Sequence, residues 1–145
     1  MTPRLIASVA EQAGFHMFAS ALRSTPHIRS VEGAGPFTVF APIDAAFGKL
    51  SKAVLDRLLD GDEKLREWVI GYHIAKGKVV ASQFRAKRIR AVMRSGGEVI
   101  IDGRTGFRVN GASVIQSDIG ADNGVIHGID TVLWPRQPTQ TTGAA

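Results

Sequence analysis

The chain has 145 residues, 44% of them hydrophobic, with no cysteine and a formal net charge of +5. That length fits one ordinary domain whose single core removes roughly two-thirds of the unfolded surface from water, and the lack of cysteine excludes a disulfide framework and thiolate metal sites while leaving the compartment open. No run approaches the ~20 apolar residues that span a bilayer as a helix, and residues 1–6 lead straight into an amphipathic pattern with Glu11 and Gln12, without the apolar stretch of a secretory signal.

Over residues 5–22 apolar side chains recur at three- and four-residue spacing: Leu5, Ile6, Val9 and Ala13, then Phe15, Phe18, Ala21 and Leu22, with Gly14 between the sets. This predicts two short helices. Ser24-Thr25-Pro26 ends the second, residues 33–36 predict a turn, and residues 37–40 predict a buried strand that Pro42 stops. Asp44 stands as N-cap of a helix through Ala45, Ala46 and Phe47, where its carboxylate accepts backbone N–H bonds. Ser51 caps a helix with Val54, Leu55, Leu58 and Leu59 on its apolar side and Gly61 as its stop. Asp62 caps another, in which Leu65, Trp68, Val69 and Tyr72 fall at i, i+3, i+4 and i+7 and His73 lies just beyond.

Beyond Gly77 the pattern changes to short runs rich in β-branched residues, at 78–81, 89–93, 98–102, 107–110, 113–116 and 125–133. Gly96-Gly97, residues 102–106 and the pair Asn110-Gly111 punctuate them as hairpins, and this half is expected to be antiparallel sheet. Residues 136–145 have no apolar anchor and are expected to form a disordered tail behind a single domain of residues 1–135.

The positive charge is local. Seven basic residues and no acid lie between positions 76 and 94 (Lys76, Lys78, Arg85, Lys87, Arg88, Arg90 and Arg94), which leaves the rest of the chain at about −2. One reading is a polyanion patch, which Arg104 and Arg108 extend across a hairpin; the other is a solvated strand face that guards a sheet edge. Within the patch reading, nucleic acid is disfavoured against anionic polysaccharide or lipid headgroups, because Phe84 is the one ring in the stretch on which a base can stack. His73, His127, Asp44 and Asp130 are the residue types of a metal or acid–base site. The chain has no His-x-x-x-His pair and no Gly-x-Ser-x-Gly turn, so they read as structural, with no catalytic, cofactor or metal role.

Two segments stand out: GPFTVFAPIDAAF over residues 35–47, with Thr38, Phe40, Pro42, Asp44 and Phe47, and NGVIHGIDTVLWP over residues 123–135, with Asn123, Gly124, His127 and Asp130. Between them lies Tyr72-His73-Ile74, followed by Gly77-Lys78-Val79. Together these resemble the two signature boxes and the tyrosine-histidine segment of fasciclin domains. Ile43 departs from the pattern, which usually has threonine or a similar polar residue there, and the stretch 85–94 is more basic than the pattern requires. The resemblance implies an α+β wedge, an antiparallel β-sandwich of about seven strands with helices, mainly from the N-terminal half, packed at one side.

It further implies a non-enzymatic adhesion or recognition module without cofactor, secreted, periplasmic or on the cell surface. Its partner would be a cell-surface or matrix protein or an anionic polysaccharide, with no small-molecule substrate expected. By the same resemblance Tyr72, His73, Asp118 and Ile119 are partner-binding positions, although Tyr72 also fits the core and Asp118-Ile119 also fits a turn with a strand anchor. The rival readings are polyanion binding through residues 76–94, with Arg85, Lys87, Arg88, Arg90 and Arg94 at its centre, and a small hydrolase around His73 or His127. The hydrolase requires an imidazole that is open to substrate.

Overall fold

A computed structural model describes residues 5–133 apart from positions 32, 34, 35, 79, 95 and 105. The predicted tail, the domain end at 135 and part of the predicted turn at 33–36 lie outside the described residues. The first two apolar sets form α1 (Ile6–Gln12) and α2 (His16–Arg23), which bury Ile6, Val9, Phe18 and Leu22. Pro26 does more than end α2. A third helix, α3 (His27–Val31), starts directly after it, because proline needs no N–H partner in a first turn.

Ser51 and Asp62 cap as the sequence predicts, accepting from Val54 N (3.3 Å) and Leu65 N (3.0 Å) at the starts of α5 (Lys52–Asp56) and α6 (Glu63–Gly71). Between these helices the chain makes a π-helical turn at Arg57–Gly61, where the buried Arg66 donates from Nη1 to Leu59 O (2.9 Å).

Among the described residues seven strands form one sheet, in the order β2-β1-β7-β6-β5-β4-β3. They are β1 (Phe37–Pro42), β2 (Ile74–Lys76), β3 (Arg88–Val92), β4 (Glu98–Asp102), β5 (Arg108–Val109), β6 (Ala112–Ala121) and β7 (Gly124–Ile129). At the described positions 78, 80 and 81 the expected strand is absent: β2 comes earlier, and Ala81–Gln83 is a 3-10 turn. Contact with β1 decides this, since Thr38 Oγ1 donates to Gly77 O (2.6 Å) and Gly77 N to Pro36 O (2.9 Å), holding residues 74–76 beside Phe37–Val39. The half beyond Gly77 is antiparallel as expected, and β1, from the first half, makes the whole sheet mixed. β1 and β7 pair parallel from Phe37↔Gly124 to Pro42↔Ile129, while every other strand pair among the described residues is antiparallel. No hairpin joins these two strands, so their direction is free to follow burial. Pro42 ends β1 from inside the strand, and Ile43 N continues the ladder to Ile129 O (3.0 Å).

All six residues of β1 and of β7 are buried. One side of this pair carries Phe37, Val39, Ala41 and Ile126 against the helices; the other carries Phe40 and Ile129 into a second cluster with Tyr72, Phe84, Met93, Val99 and Ile101. That second cluster is enclosed because the sheet folds over. β6 shifts register between Val114 and Gln116 and again between Gln116 and Ile119, and such bulges bend a strand. The fold brings the two sheet edges together, with Ala75 bridged to Met93 and Arg94 N donating to Ile74 O (2.7 Å). The hairpin between β5 and β6 turns on Asn110 (φ 49°) and Gly111 (φ +88°), the paired positive values of the tight turn its sequence signals.

Gly124 sets the spacing of the central pair, because a Cβ there would stand 2.1 Å from Phe37 O. Gly124→Ala is expected to cost at least ~2 kcal/mol, since the obstacle is backbone. Gly120→Ala, with nothing within 4 Å of the added carbon, is expected to stay within ~0.5 kcal/mol. Urea denaturation midpoints compare the two, and an unchanged midpoint for Gly124→Ala would refute the close approach.

Candidate functional site

The tyrosine-histidine segment is internal. Tyr72 is buried at the end of α6; its hydroxyl donates to Glu98 O (2.6 Å) and accepts from Asn110 Nδ2 (2.9 Å), tying the helix to the hairpins. His73 has no exposed surface. Its Nε2 accepts from Leu133 N (2.9 Å), so Nδ1 carries the proton and donates to Val69 O (2.8 Å), and its ring lies 5.9 Å from that of Phe18. Burial pushes its pKa down to about 4, with the Val69 carbonyl opposing that shift.

The boxes turn inward too. His127 is fully buried, stacked on Phe40 at 5.6 Å between centroids and edge-on to Phe107 at 5.3 Å, and its Nδ1 accepts from Asp118 N (3.1 Å). Asp118 sits at the β6 register shift with φ +60°, half exposed, its Oδ1 accepting from Ala81 N (2.9 Å) and lying 3.9 Å from His127 Nδ1. Ile119, its neighbour, is half-buried against the helical core. Asn123 Nδ2 donates to Val31 O and to Gly33 O (3.0 Å). Asp130 accepts from Ser113 N (2.9 Å) and the Thr131 hydroxyl (3.1 Å), while its carbonyl takes Lys49 Nζ (2.6 Å). Thr38, Phe40 and Phe47 are buried.

Asp44 corrects a sequence expectation. It does not cap its own helix, α4 (Asp44–Phe47), whose N-cap is Ile43 without a side-chain bond. Its Oδ1 accepts from Met17 N (2.9 Å), in the first turn of α2. The acceptor is as predicted, but the helix N-terminus it serves is 27 residues away. Local spacing cannot reveal a cap supplied across the fold.

With both imidazoles fully buried and engaged, neither offers the open base that a hydrolase needs. Among the described residues, no group of three or more His, Asp or Glu side chains is placed to hold a metal ion, and no helix is long and apolar enough to cross a membrane.

The basic stretch lies outside. Arg85, Lys87, Arg88, Arg90 and Arg94 are exposed, while Phe84 is buried, which removes the one ring available for stacking. Strand register places Arg88 opposite Asp102, and Asp102 opposite Arg108, in one row across β3, β4 and β5. Arg104 grips Asp102 through Nε to Oδ1 (3.1 Å) and Nη2 to Oδ2 (2.9 Å), bonds that with Arg88 nearby hold the carboxyl at about 2. Arg90 stands one position further on, opposite Ile100. Alternation sends Val92 to the same side, 65% exposed, and Ile115 on β6 is 55% exposed.

Arg94 is set apart from these arginines: its Nε donates to Nδ1 of His27 (3.0 Å), which in turn donates from Nε2 to Glu67 O (2.7 Å). Nothing in the sequence marks His27 for this, since its segment reads as the stop of α2.

Residues 13–135 match the fasciclin domain family. The uncharacterised protein sll1735 of Synechocystis is 33% identical over 132 residues, which cover 90% of this chain and 97% of that protein. The cell surface glycolipoprotein MPT83 of Mycobacterium tuberculosis is 35% identical over 101 residues, 70% of this chain and 44% of MPT83. Among solved structures, a FAS1 domain pair from the insect cell adhesion molecule fasciclin I shares the fold, with a TM-score of 0.64 over 86% of this chain and 46% of that one at 20% identity.

Two substitutions test these polar contacts. Asp44→Ala is expected to cost ~1 kcal/mol through the exposed end of α2, with amide exchange rising first at Met17; an unchanged midpoint would refute the cap. His73 titrates near 6.5 when unfolded and near 4 when folded. Its neutral form therefore contributes full stability above pH about 6.5, and that contribution is lost as pH falls towards 4, by up to about 1.4 kcal/mol per unit. His27, whose pKa burial also lowers, adds in the same direction. Chemical denaturation across this range is expected to show a shallower slope in His73→Gln than in wild type, and equal slopes would exclude His73 as the source.

Proposed function

The chain belongs to the fasciclin domain family, and from that premise we propose that it is a non-enzymatic adhesion or recognition module working outside the cytoplasm. Two relatives support the setting by name, one a cell surface glycolipoprotein and the other a cell adhesion molecule. The placement of the family residues supports the non-enzymatic reading. Tyr72, His73, Asn123 and His127 are buried and bonded to the fold, so recognition falls to surface residues that the boxes only position.

The surface that fits best is the outer side of β3, β4 and β5. One observation carries this reading: Arg88, Asp102 and Arg108 share a row, and Arg104 already grips the acid. The face keeps a positive balance with aliphatic Val92 and Ile115 beside it. Its ligand is an anionic polysaccharide of the cell surface or matrix, bound through several charge-assisted contacts at once. Nucleic acid fits less well, because Phe84 is buried. A protein partner is the second reading, favoured by Asp118, which stands half exposed on the β6 bulge next to Ile119.

Retention on immobilised anionic polysaccharides at about 0.05 and 0.2 M salt tests the first reading, with anionic vesicles and duplex DNA as comparisons. Wild type is expected to bind with strong salt sensitivity. The variant Arg88→Ala/Arg90→Ala/Arg108→Ala is expected to lose binding while its stability stays within ~0.5 kcal/mol. No retention of wild type, or equal retention of the variant, would refute the arginine face and move attention to a protein partner at Asp118.

A further inference from the structure

β3 is the last strand of the sheet, and among the described residues no strand lies beyond it. Hydrogen bonds at its two ends fix which backbone groups face that side. Lys87 O accepts from Gly103 N (2.7 Å) and Met93 N donates to Gly97 O (2.7 Å), both towards β4 and its turns. Alternation places Ile89 and Ala91 in the same set, exchanging bonds with Ile101 and Val99. The positions between them face the other way. Arg94 N crosses the edge to Ile74 O (2.7 Å), and opposite Arg90 the polar groups of Ile100 are turned away to Asn110, N to Oδ1 (2.7 Å) and O to N (2.9 Å). The N–H and C=O groups of Arg88, Arg90 and Val92 therefore point out of the sheet edge. β2 meets this line only at its end, by the bridge of Ala75 to Met93, and leaves it at Gly77 (φ +91°), whose N turns to Pro36 O (2.9 Å). Arg88, Ile89, Arg90 and Val92 are all exposed.

We propose that this edge takes one added strand from a partner protein, an extended acidic segment that runs antiparallel to β3 and exchanges backbone bonds with Arg88, Arg90 and Val92. The direction continues the line that β2 begins, since β2 is antiparallel to β3 at its bridge. Side chains directly opposed across two strands share a face, so register fixes the pattern of the partner. An aliphatic residue stands opposite Val92, acids stand opposite Arg90 and Arg88, and the residue between the two acids meets Ile89. Charge selects among strands. Residues 76–94 hold seven basic residues and no acid, and the neighbouring row sets Arg88, Arg104 and Arg108 against the single carboxylate of Asp102. A second copy of β3 would lay guanidinium groups against guanidinium groups, which is unfavourable. An acidic strand gains from the same charges that repel other strands. The inference rests on the backbone of β3 and is independent of polysaccharide binding on the arginine face.

The blocked peptide Thr-Val-Thr-Glu-Val-Glu-Thr, titrated into the intact chain by calorimetry with amide hydrogen exchange on the complex, tests the edge. It is expected to saturate at one equivalent below about 1 mM. N-methylation of both glutamate amides, which removes donors aimed at Arg90 and Arg88 carbonyls, is expected to weaken binding at least about tenfold. N-methylation of the inner threonine and the second valine, whose amides point away from β3, is expected to stay within about threefold. Replacing both glutamates by lysine is expected to abolish binding, and Arg88→Ala/Arg90→Ala to weaken it about tenfold. In the complex, exchange is expected to slow at the Arg88, Arg90 and Val92 amides and to stay unchanged at Ile89 and Ala91, which β4 already holds. No saturation, equal effects of the two methylations, equal binding of the lysine peptide, no slowing at those three amides, or dimerisation of the chain through β3 would each overturn the proposal. A chain that fails here but is retained on anionic polysaccharide would lose the edge and keep the arginine face.

Discussion

The parallel pairing of β1 with β7 is the constraint on which the rest depends. Both strands are buried along their whole length, so each side of the pair must be covered by something else. The helices cover one side, and the folded-over half of the sheet covers the other. Small residues are required where the layers come closest: Gly124 lies against the Phe37 carbonyl and Gly128 against the Phe15 ring. The two signature segments are the sequences of these strands and their exits. Their residue types answer to packing between three layers.

A buried imidazole is unfavourable in its charged form and tolerable in its neutral form only if its ring nitrogens are engaged. His73 meets that condition between Val69 and Leu133, and thereby pins the chain beyond β7 to the end of α6. His127 accepts the Asp118 amide at the point where β6 changes register, so it helps to hold the bulge that folds the sheet. The two histidines that looked most like chemistry are thus fasteners of the fold.

Outside, the folded sheet presents surfaces of a different kind. Hairpin register sets the arginine row, and strand alternation sets which amides of β3 face the open edge. One surface is a charged face with repeated guanidinium groups, the other a row of backbone groups along a strand.

Much of this was legible in the residues themselves. Helical periodicity marked α1, α2 and α6, the caps at Ser51 and Asp62 formed as read, and Asn110-Gly111 made its hairpin, because each depends on interactions within a few residues. The family boxes identified the fold class, and the change of residue pattern near Gly77 identified the helices-first order. Long-range contact decided the rest. The sheet is mixed because burial, not a hairpin, set the direction of β1 against β7. The strand predicted at 78–81 formed instead at Ile74–Lys76 because β1 bonds there. Asp44 serves α2 because a carboxylate caps whichever helix end the fold brings to it. The meeting of His27 with Arg94, 67 residues apart, had no local signal at all. Local free energies are written in short stretches of sequence, but strand direction, distant caps and open edges depend on which surfaces meet, and only the packed chain settles that.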